Sequence, residues 1–311
     1  MLSTTSKPSV TIAMPFFNNA ATLELCIRSL LNQSCGDFEL LLCDDGSDDQ
    51  GLAIAQSFND PRVICWSDGR QLGLAARLNE CIDRARGPYL ARMDADDIAY
   101  PDRLARQMAF LGDHEEVDLC GGGALVFGKH GRPLWRFSPP TDHGEIIRSP
   151  SLGFPLLHPA WMGRIEWFRR WRYDESTQLG ADQELLQRSY RMSRFANLPQ
   201  IVLGYPEERI TLGGLSKLLR LQYVCTQLGP GAWRKLRILV NPAARFAANC
   251  VSMPGGEPRM DHLAIQATFA AEPAKWRNLW TLLAVWYGRP CNETFQPASL
   301  LQQTRSRRWP A

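Results

Sequence analysis

Apolar residues in the first third of the chain fall into short, unbroken runs. Val10-Thr11-Ile12-Ala13-Met14 stops at Pro15, and Phe38 to Cys43 stops at Asp44-Asp45-Gly46-Ser47. Val63 to Trp66 is a third run, and Pro88 to Met93 ends at Asp94-Ala95-Asp96-Asp97. Runs of this length, bounded by turn residues, predict strands buried on both faces. Between them the spacing changes. Leu23, Ile27, Leu30 and Leu31 predict a helix over 22–33, with Asn18, Asn19 or Thr22 as N-cap, and 72–85 reads as a second helix. This alternation predicts an α/β fold on a mostly parallel sheet flanked by helices. Ligands of such sheets bind beyond the carboxyl ends of the strands, where both acidic clusters fall.

Past Pro101, which suits the first turn of a helix to Leu111, the pattern is mixed. A strand over 117–127 is predicted to break at Gly121-Gly122-Gly123, with a helix over 181–194 and extended chain over 195–203. From Leu215 to Asn249, Lys217, Arg220, Arg234, Lys235, Arg237 and Arg245 alternate with apolar residues, and no acidic residue intervenes. Trp280, Trp286 and Tyr287 mark a further apolar stretch. The expected organisation is therefore a catalytic-size α/β domain over 8–210 and a helical C-terminal extension over 211–311. Two readings of the extension stand: helices packed on the first domain, or a basic amphipathic surface in peripheral contact with an anionic membrane such as the inner membrane.

Composition narrows the class. The 311 residues are 45% hydrophobic, enough for a sizeable core, and the net charge of +3 gives no footprint for a nucleic-acid partner. No apolar run is long enough to span a bilayer, and Met1 to Ser9 lacks a signal-peptide pattern. Nine cysteines are scattered without a Cys-x-x-Cys pair, which argues against a zinc site and fits a reducing, cytoplasmic location.

The candidate chemistry sits at the two acidic turns. In Asp94-Ala95-Asp96-Asp97, aspartates one apart can offer oxygens to a hard divalent cation that also holds phosphate oxygens. The competing reading is a surface turn in which Asp97 caps the following helix. In Asp44-Asp45-Gly46-Ser47, a carboxylate can accept from a base N–H or a ribose hydroxyl, or the segment is an ordinary polar turn. Pro15-Phe16-Phe17-Asn18, at the same edge, can floor a nucleotide base. His114-Glu115 lacks the second histidine of a zinc-protease helix, and the triple glycine lacks a dinucleotide fingerprint's spacing.

Four segments in order carry a family resemblance: Val-Thr-Ile-Ala-Met-Pro-Phe-Phe-Asn (10–18), Cys-Asp-Asp-Gly-Ser-Asp-Asp (43–49), Gly-Leu-Ala-Ala-Arg-Leu-Asn (73–79) and Ala-Arg-Gly-Pro-Tyr-Leu-Ala-Arg-Met-Asp-Ala-Asp-Asp (85–97). Over about residues 8–205 the chain resembles the family 2 inverting glycosyltransferases of GT-A fold, of the bacterial surface-polysaccharide type. The resemblance implies that Pro15 and Asn18 line a nucleotide pocket, that Asp45 contacts the base with Asp44 beside it, and that Arg77, Asn79 and Arg92 lie near the donor. It implies that Asp94 and Asp96 bind Mn²⁺ or Mg²⁺, with Asp96 the direct ligand. Asp182, in Gly180-Ala181-Asp182-Gln183-Glu184, stands where the family places its catalytic base, with Glu184 as the fallback. A helix-N-terminal acid facing the macrodipole is the alternative for Asp182. His158 stands where related enzymes carry a histidine near the acceptor; a satisfied, partly buried histidine is the other reading.

The implied partners are a nucleotide-sugar donor, UDP first, and a carbohydrate or lipid-linked saccharide acceptor. Two rival functions remain at this stage. A sugar-nucleotide nucleotidyltransferase would need a glycine-rich basic loop where Pro15-Phe16-Phe17-Asn18 stands, and an inactive carbohydrate-binding scaffold would not need Asp94, Asp96 and Asp182 together.

Overall fold

The computed structural model describes residues 7–206 except 129–130, 132, 151–152 and 178–179. The expected C-terminal extension, its basic segment and its membrane contact lie outside the described residues. The N-terminal half follows the alternating pattern: β1 (Val10–Phe16), α1 (Leu23–Leu31), β2 (Phe38–Asp44), α2 (Gly51–Gln56), β3 (Val63–Ser67), α3 (Leu74–Arg84) and β4 (Tyr89–Arg92). These strands lie side by side in the order β3-β2-β1-β4, all parallel.

The second half extends the same sheet in mixed sense. It contains β5 (Ile98–Ala99), α4 (Arg103–Asp113), β6 (Leu119–Phe127), β7 (Pro133–Phe137) and α5 (His143–Ile146). A 3-10 turn at His158–Ala160, then β8 (Met162–Arg164), α6 (Ile165–Trp171), α7 (Ala181–Ser189) and β9 (Phe195–Pro206) follow. The order continues β4-β8-β6-β9-β5, with β7 paired to β6. The β4–β8, β6–β8, β6–β7 and β5–β9 pairs are antiparallel, and β6–β9 is parallel.

The unbroken apolar runs have a simple cause. Alternate residues of one strand serve opposite faces, and both faces are covered. Ile12, Met14 and Leu40 pack with Cys26, Ile27 and Leu30 of α1 and Leu104 and Leu111 of α4. Ala13, Leu41 and Cys43 pack with Leu78, Cys81 and Ile82 of α3, Trp167 and Phe168 of α6, and Leu185 and Leu186 of α7. Cys26, Cys43, Cys81 and Cys120 are buried and unpaired, as small core residues.

Three expectations change. Gly121-Gly122-Gly123 does not break β6, which runs continuously and fully buried. The glycines instead let β9 approach: a Cβ on Gly122 would lie 2.8 Å from a Val202 methyl, and the β6–β9 register shifts around Gly123. The helix expected over 181–194 stops at Ser189 and gives way to a 3-10 turn at Tyr190–Met192. Asp97 is not a cap; it is wholly buried, and Asp102 precedes α4.

Candidate active site

The carboxyl ends of β2, β1 and β4 are neighbours, so the segments that follow them converge. Phe16 is in register with Asp44, and the Asp45 N–H donates to the Phe16 carbonyl at 2.8 Å. On the other side, the Met93 N–H donates to the Ala13 carbonyl at 3.1 Å, which directs Asp94 to Asp97 toward the same edge. A cleft of about 370 Å³ opens there. Pro15, Phe16, Phe17 and Asn19 line it from β1, Asp45 and Leu74 from one flank, Asp94, Ala95 and Asp96 from the other, and Tyr205 and Pro206 from the end of β9. That volume is within the range of about 300–1,000 Å³ typical of small-molecule sites.

The acidic turn is a compact carboxylate cluster. Asp94, Asp96 and Asp97 each have an oxygen within 4.8 Å of the others. Thr22, ahead of α1, donates its hydroxyl to the Ala95 carbonyl at 3.0 Å and so pins the turn. Asp94 is ion-paired with Arg92, whose side chain is only 2% exposed. Neither Asp97 oxygen has a hydrogen-bond partner, and its pKa is pushed well up by burial and by the Asp94 and Asp96 charges. Oxygen-only ligands at this spacing suit a hard divalent cation, and the orphaned Asp97 carboxylate is one such buried acceptor.

Arg103 braces this turn from below. Its guanidinium donates to the Arg92 and Trp161 carbonyls at 2.6 and 3.3 Å, and Gln107 donates to the Ala160 carbonyl at 2.7 Å. Burial lowers the Arg103 pKa to about 10, which leaves it charged at neutral pH. The acidic turn and the 158–161 turn are thus joined through one buried arginine.

On the other flank, the expected donor residues form a framework. Asp45 accepts from the Leu72 N–H at 2.7 Å, the Gly73 N–H at 3.0 Å and Arg77 Nε at 2.9 Å. Arg77 has no exposed surface; it also donates to Asp68 at 2.6 Å, to Glu80 at 3.1 Å and to the Arg70 carbonyl. Its guanidinium therefore holds loop 68–73 in place. Asp44, buried, accepts from the Ser67 hydroxyl at 2.6 Å and the Ser47 N–H at 3.1 Å. Asn18, in left-handed conformation at φ 55°, accepts from the Asp48 N–H at 3.0 Å and ties the two loops together.

Asp182 stands in the first turn of α7, after Gly180 in left-handed conformation. Burial raises its pKa, against the opposing hydrogen bonds of Gln183 and the charge of Arg92. Gln183 also accepts from the Phe154 N–H at 2.8 Å and so moors α7 to the segment before His158. Glu184 is engaged by Arg188 at 2.5 Å. Asn79 is not among the residues that line the cleft; its amide grips the backbone of Tyr173 and the Glu175 side chain. His158 Nε2 lies 2.9 Å from the Tyr173 hydroxyl. Burial, then the Arg92 charge, holds the His158 pKa well below its usual value.

The sequence reading did not find Gln183, Tyr173, Asn19, Leu74 or Tyr205. Leu74 is an apolar residue left 42% exposed at a helix start, which only the structure shows. The others depend on contacts distant in sequence.

With this geometry in view, the comparisons with known proteins decide the family. A profile described as glycosyl transferase family 2 matches residues 11–172, just over half of the chain. The chain belongs to glycosyl transferase family 2. It is 36% identical over 167 residues to the putative glycosyltransferase EpsE of Bacillus subtilis, covering 53% of this chain and 59% of that protein. It is 29% identical over 234 residues to the succinoglycan biosynthesis protein ExoO of Rhizobium meliloti, covering 70% of this chain and 65% of ExoO. The chain thus spans less than two thirds of either relative. Crystal structures of S. aureus TarS 1–349 share the fold: TM-score 0.54 at 16% identity, over 88% of this chain and 80% of that one. The same TarS fragment in complex with UDP-GlcNAc gives a TM-score of 0.53 at 15% identity, over 89% and 81%.

Proposed function

We propose that this chain is a metal-dependent, inverting glycosyltransferase that moves a hexosyl or N-acetylhexosaminyl group from a UDP-sugar to an acceptor hydroxyl. The pathway we propose is cell-surface polysaccharide or lipopolysaccharide assembly, on a carbohydrate or lipid-linked acceptor, in the cytoplasm or at the inner membrane's cytoplasmic face. The transferase domain is taken as 8–210 and the extension as 211–311. The observation that carries the reading is the pairing of two acidic centres. A carboxylate triad ends β4, and a separate, half-buried aspartate opens α7; Arg92 feels both. Family membership supports sugar transfer, the UDP and UDP-GlcNAc complexes of TarS support the donor class, and the name of ExoO supports the pathway.

In this mechanism Phe17, 40% exposed at the cleft, stacks on the base, while Pro15 lines its pocket, Asn18 steadies the loop beside it, and the framework-held Asp45 accepts from it. Asp96, with Asp94 and Asp97, would hold Mn²⁺ or Mg²⁺. Such an ion, when bound, neutralises charge on the leaving diphosphate. Asp182 takes the acceptor hydroxyl's proton as that oxygen attacks the anomeric carbon. The bond to the diphosphate oxygen breaks on the opposite face, and the configuration inverts. Its raised pKa makes it a stronger base than an exposed aspartate. Among the described residues no helix is long and apolar enough to cross a membrane.

The test is release of nucleoside diphosphate from a panel of UDP-, dTDP- and GDP-sugars, with Mn²⁺ and with EDTA. Turnover of one UDP-sugar, abolished by EDTA and in Asp96→Asn, is expected. Turnover that ignores both would refute metal dependence, and failure to bind any donor would refute the function.

A further inference from the structure

One residue that the proposed mechanism does not use is held with unusual care. Asn79 on α3 is 3% exposed, and its amide is spent on a segment 94 residues away. Its Oδ1 accepts from the Tyr173 N–H at 3.0 Å, while Nδ2 donates to the Tyr173 carbonyl at 3.0 Å and to Glu175 at 2.8 Å. The preceding residue, Arg172, has φ 43°. A non-glycine residue rarely adopts that conformation, and it persists only where its surroundings hold it. Two do so here. Asp83 on α3 takes the Arg172 guanidinium at 2.5 and 2.9 Å, and Arg188 on α7 donates to the Trp171 and Arg172 carbonyls at 2.8 and 2.6 Å. The segment is therefore clamped between the donor-side helix and the helix that carries Asp182.

The product of this clamping is the position of one phenol. Tyr173 is 4% exposed, and its hydroxyl lies 2.9 Å from His158 Nε2. The His158 ring is packed edge-on at 4.6 Å from the Trp161 ring, which is wholly buried. Burial, against Arg92 and assisted by the Asp182 and Asp94 charges, pushes the Tyr173 phenol up, so it keeps its proton. Burial likewise keeps His158 neutral. Among the described residues Nε2 is the one hydrogen-bond partner of this buried phenol, so the O–H would be stranded unless it donates there, and a ring whose Nε2 accepts carries its proton on Nδ1.

We propose that Tyr173 is a positioning residue: it donates its O–H to His158 Nε2, fixes that ring as the Nδ1–H tautomer, and is itself set in place by Asn79. His158 then has one donor, at Nδ1, and a fixed ring plane. The functional part of this inference rests on the glycosyltransferase reading; the tautomer does not.

The experiment is nitrogen-15 NMR of the histidine side chains in the full-length protein at neutral pH, with the His158 signals assigned through His158→Gln. Wild type should show a protonated Nδ1 and a bare Nε2. Tyr173→Phe should return the ring to the mixture of tautomers of a free imidazole, and Asn79→Ala should do the same. In the donor assay, Tyr173→Phe should lower turnover by roughly 10–100-fold, by analogy with metal-bound histidines that lose their orienting partner, with UDP affinity unchanged. A protonated Nε2 in wild type overturns the assignment, as does an unchanged His158 signature in Tyr173→Phe. An altered tautomer with full turnover overturns the positioning role. If no donor turns over at all, the functional reading has failed while the NMR measurement still decides the tautomer.

Discussion

Arg77 Nε lies 2.9 Å from Asp45 Oδ1, and the arginine has no solvent-exposed surface. A buried cation of this kind is tolerated only because Asp45, Asp68 and Glu80 surround it. Removing it leaves the Asp45 carboxylate, 6% exposed, with two backbone N–H donors and no counter-charge. Arg77→Met is therefore expected to cost about 3–5 kcal/mol, the usual penalty for breaking a buried pair from one side. Urea unfolding measures this. A loss below about 1 kcal/mol, the worth of an exposed pair, would contradict the framework role.

Gly46 supports the same loop. It has φ +77°, and a Cβ there would lie 2.9 Å from the Arg70 carbonyl carbon. Both the backbone conformation and the contact oppose a side chain, and neither neighbour is a flexible side-chain end. Gly46→Ala should destabilise by about 1–3 kcal/mol, seen in the same unfolding experiment, and should weaken UDP binding because Asp45 is displaced. A stable variant with native UDP affinity would show that the loop adapts.

How much of this was open to inspection in the sequence depends on distance along the chain. The strands and the acidic turns follow from local runs and turn chemistry, and Asp94, Asp96 and Asp182 stand in short motifs. Arg77 also stands in a motif, yet its role does not, because Asp68 and Glu80 carry no signature that joins them to Asp45. Asn79 was expected beside the donor; its partner, Tyr173, is 94 residues away, beyond any periodicity. The triple glycine of β6 misled for the complementary reason. Glycine weakens an isolated strand, but here it makes room for β9, and only the packed sheet shows that.

On the proposed reading of Asp182 as the base, its pKa sets the pH profile. The base works only when ionised, so kcat/KM falls on the acid side of that pKa. Burial raises it, so the acid limb should sit above the ordinary aspartate value of about 3.9. Gln183 and Arg92 favour the ionised form, and Gln183→Ala should move the limb further up. Rate profiles of wild type and this variant give the answer; a limb that stays put would take Gln183 out of the site's electrostatics.

The proposed function makes metal binding separable from turnover. Mn²⁺ titration followed by electron paramagnetic resonance should show Asp96→Asn weakened by at least about tenfold, given that losing only a ligand's supporting partner costs 10–100-fold. Asp182→Asn should bind Mn²⁺ as wild type does. Equal weakening in both variants would mean that the two acidic centres are one.

The most direct test of the account measures binding and turnover together in Asp182→Asn. UDP affinity in the presence of Mn²⁺ should match wild type, while sugar transfer falls by about 10²–10⁴-fold, the contribution typical of a general base. Retained transfer, or loss of UDP binding along with it, would contradict the assignment of Asp182 as a base separate from the Asp94–Asp96–Asp97 cluster.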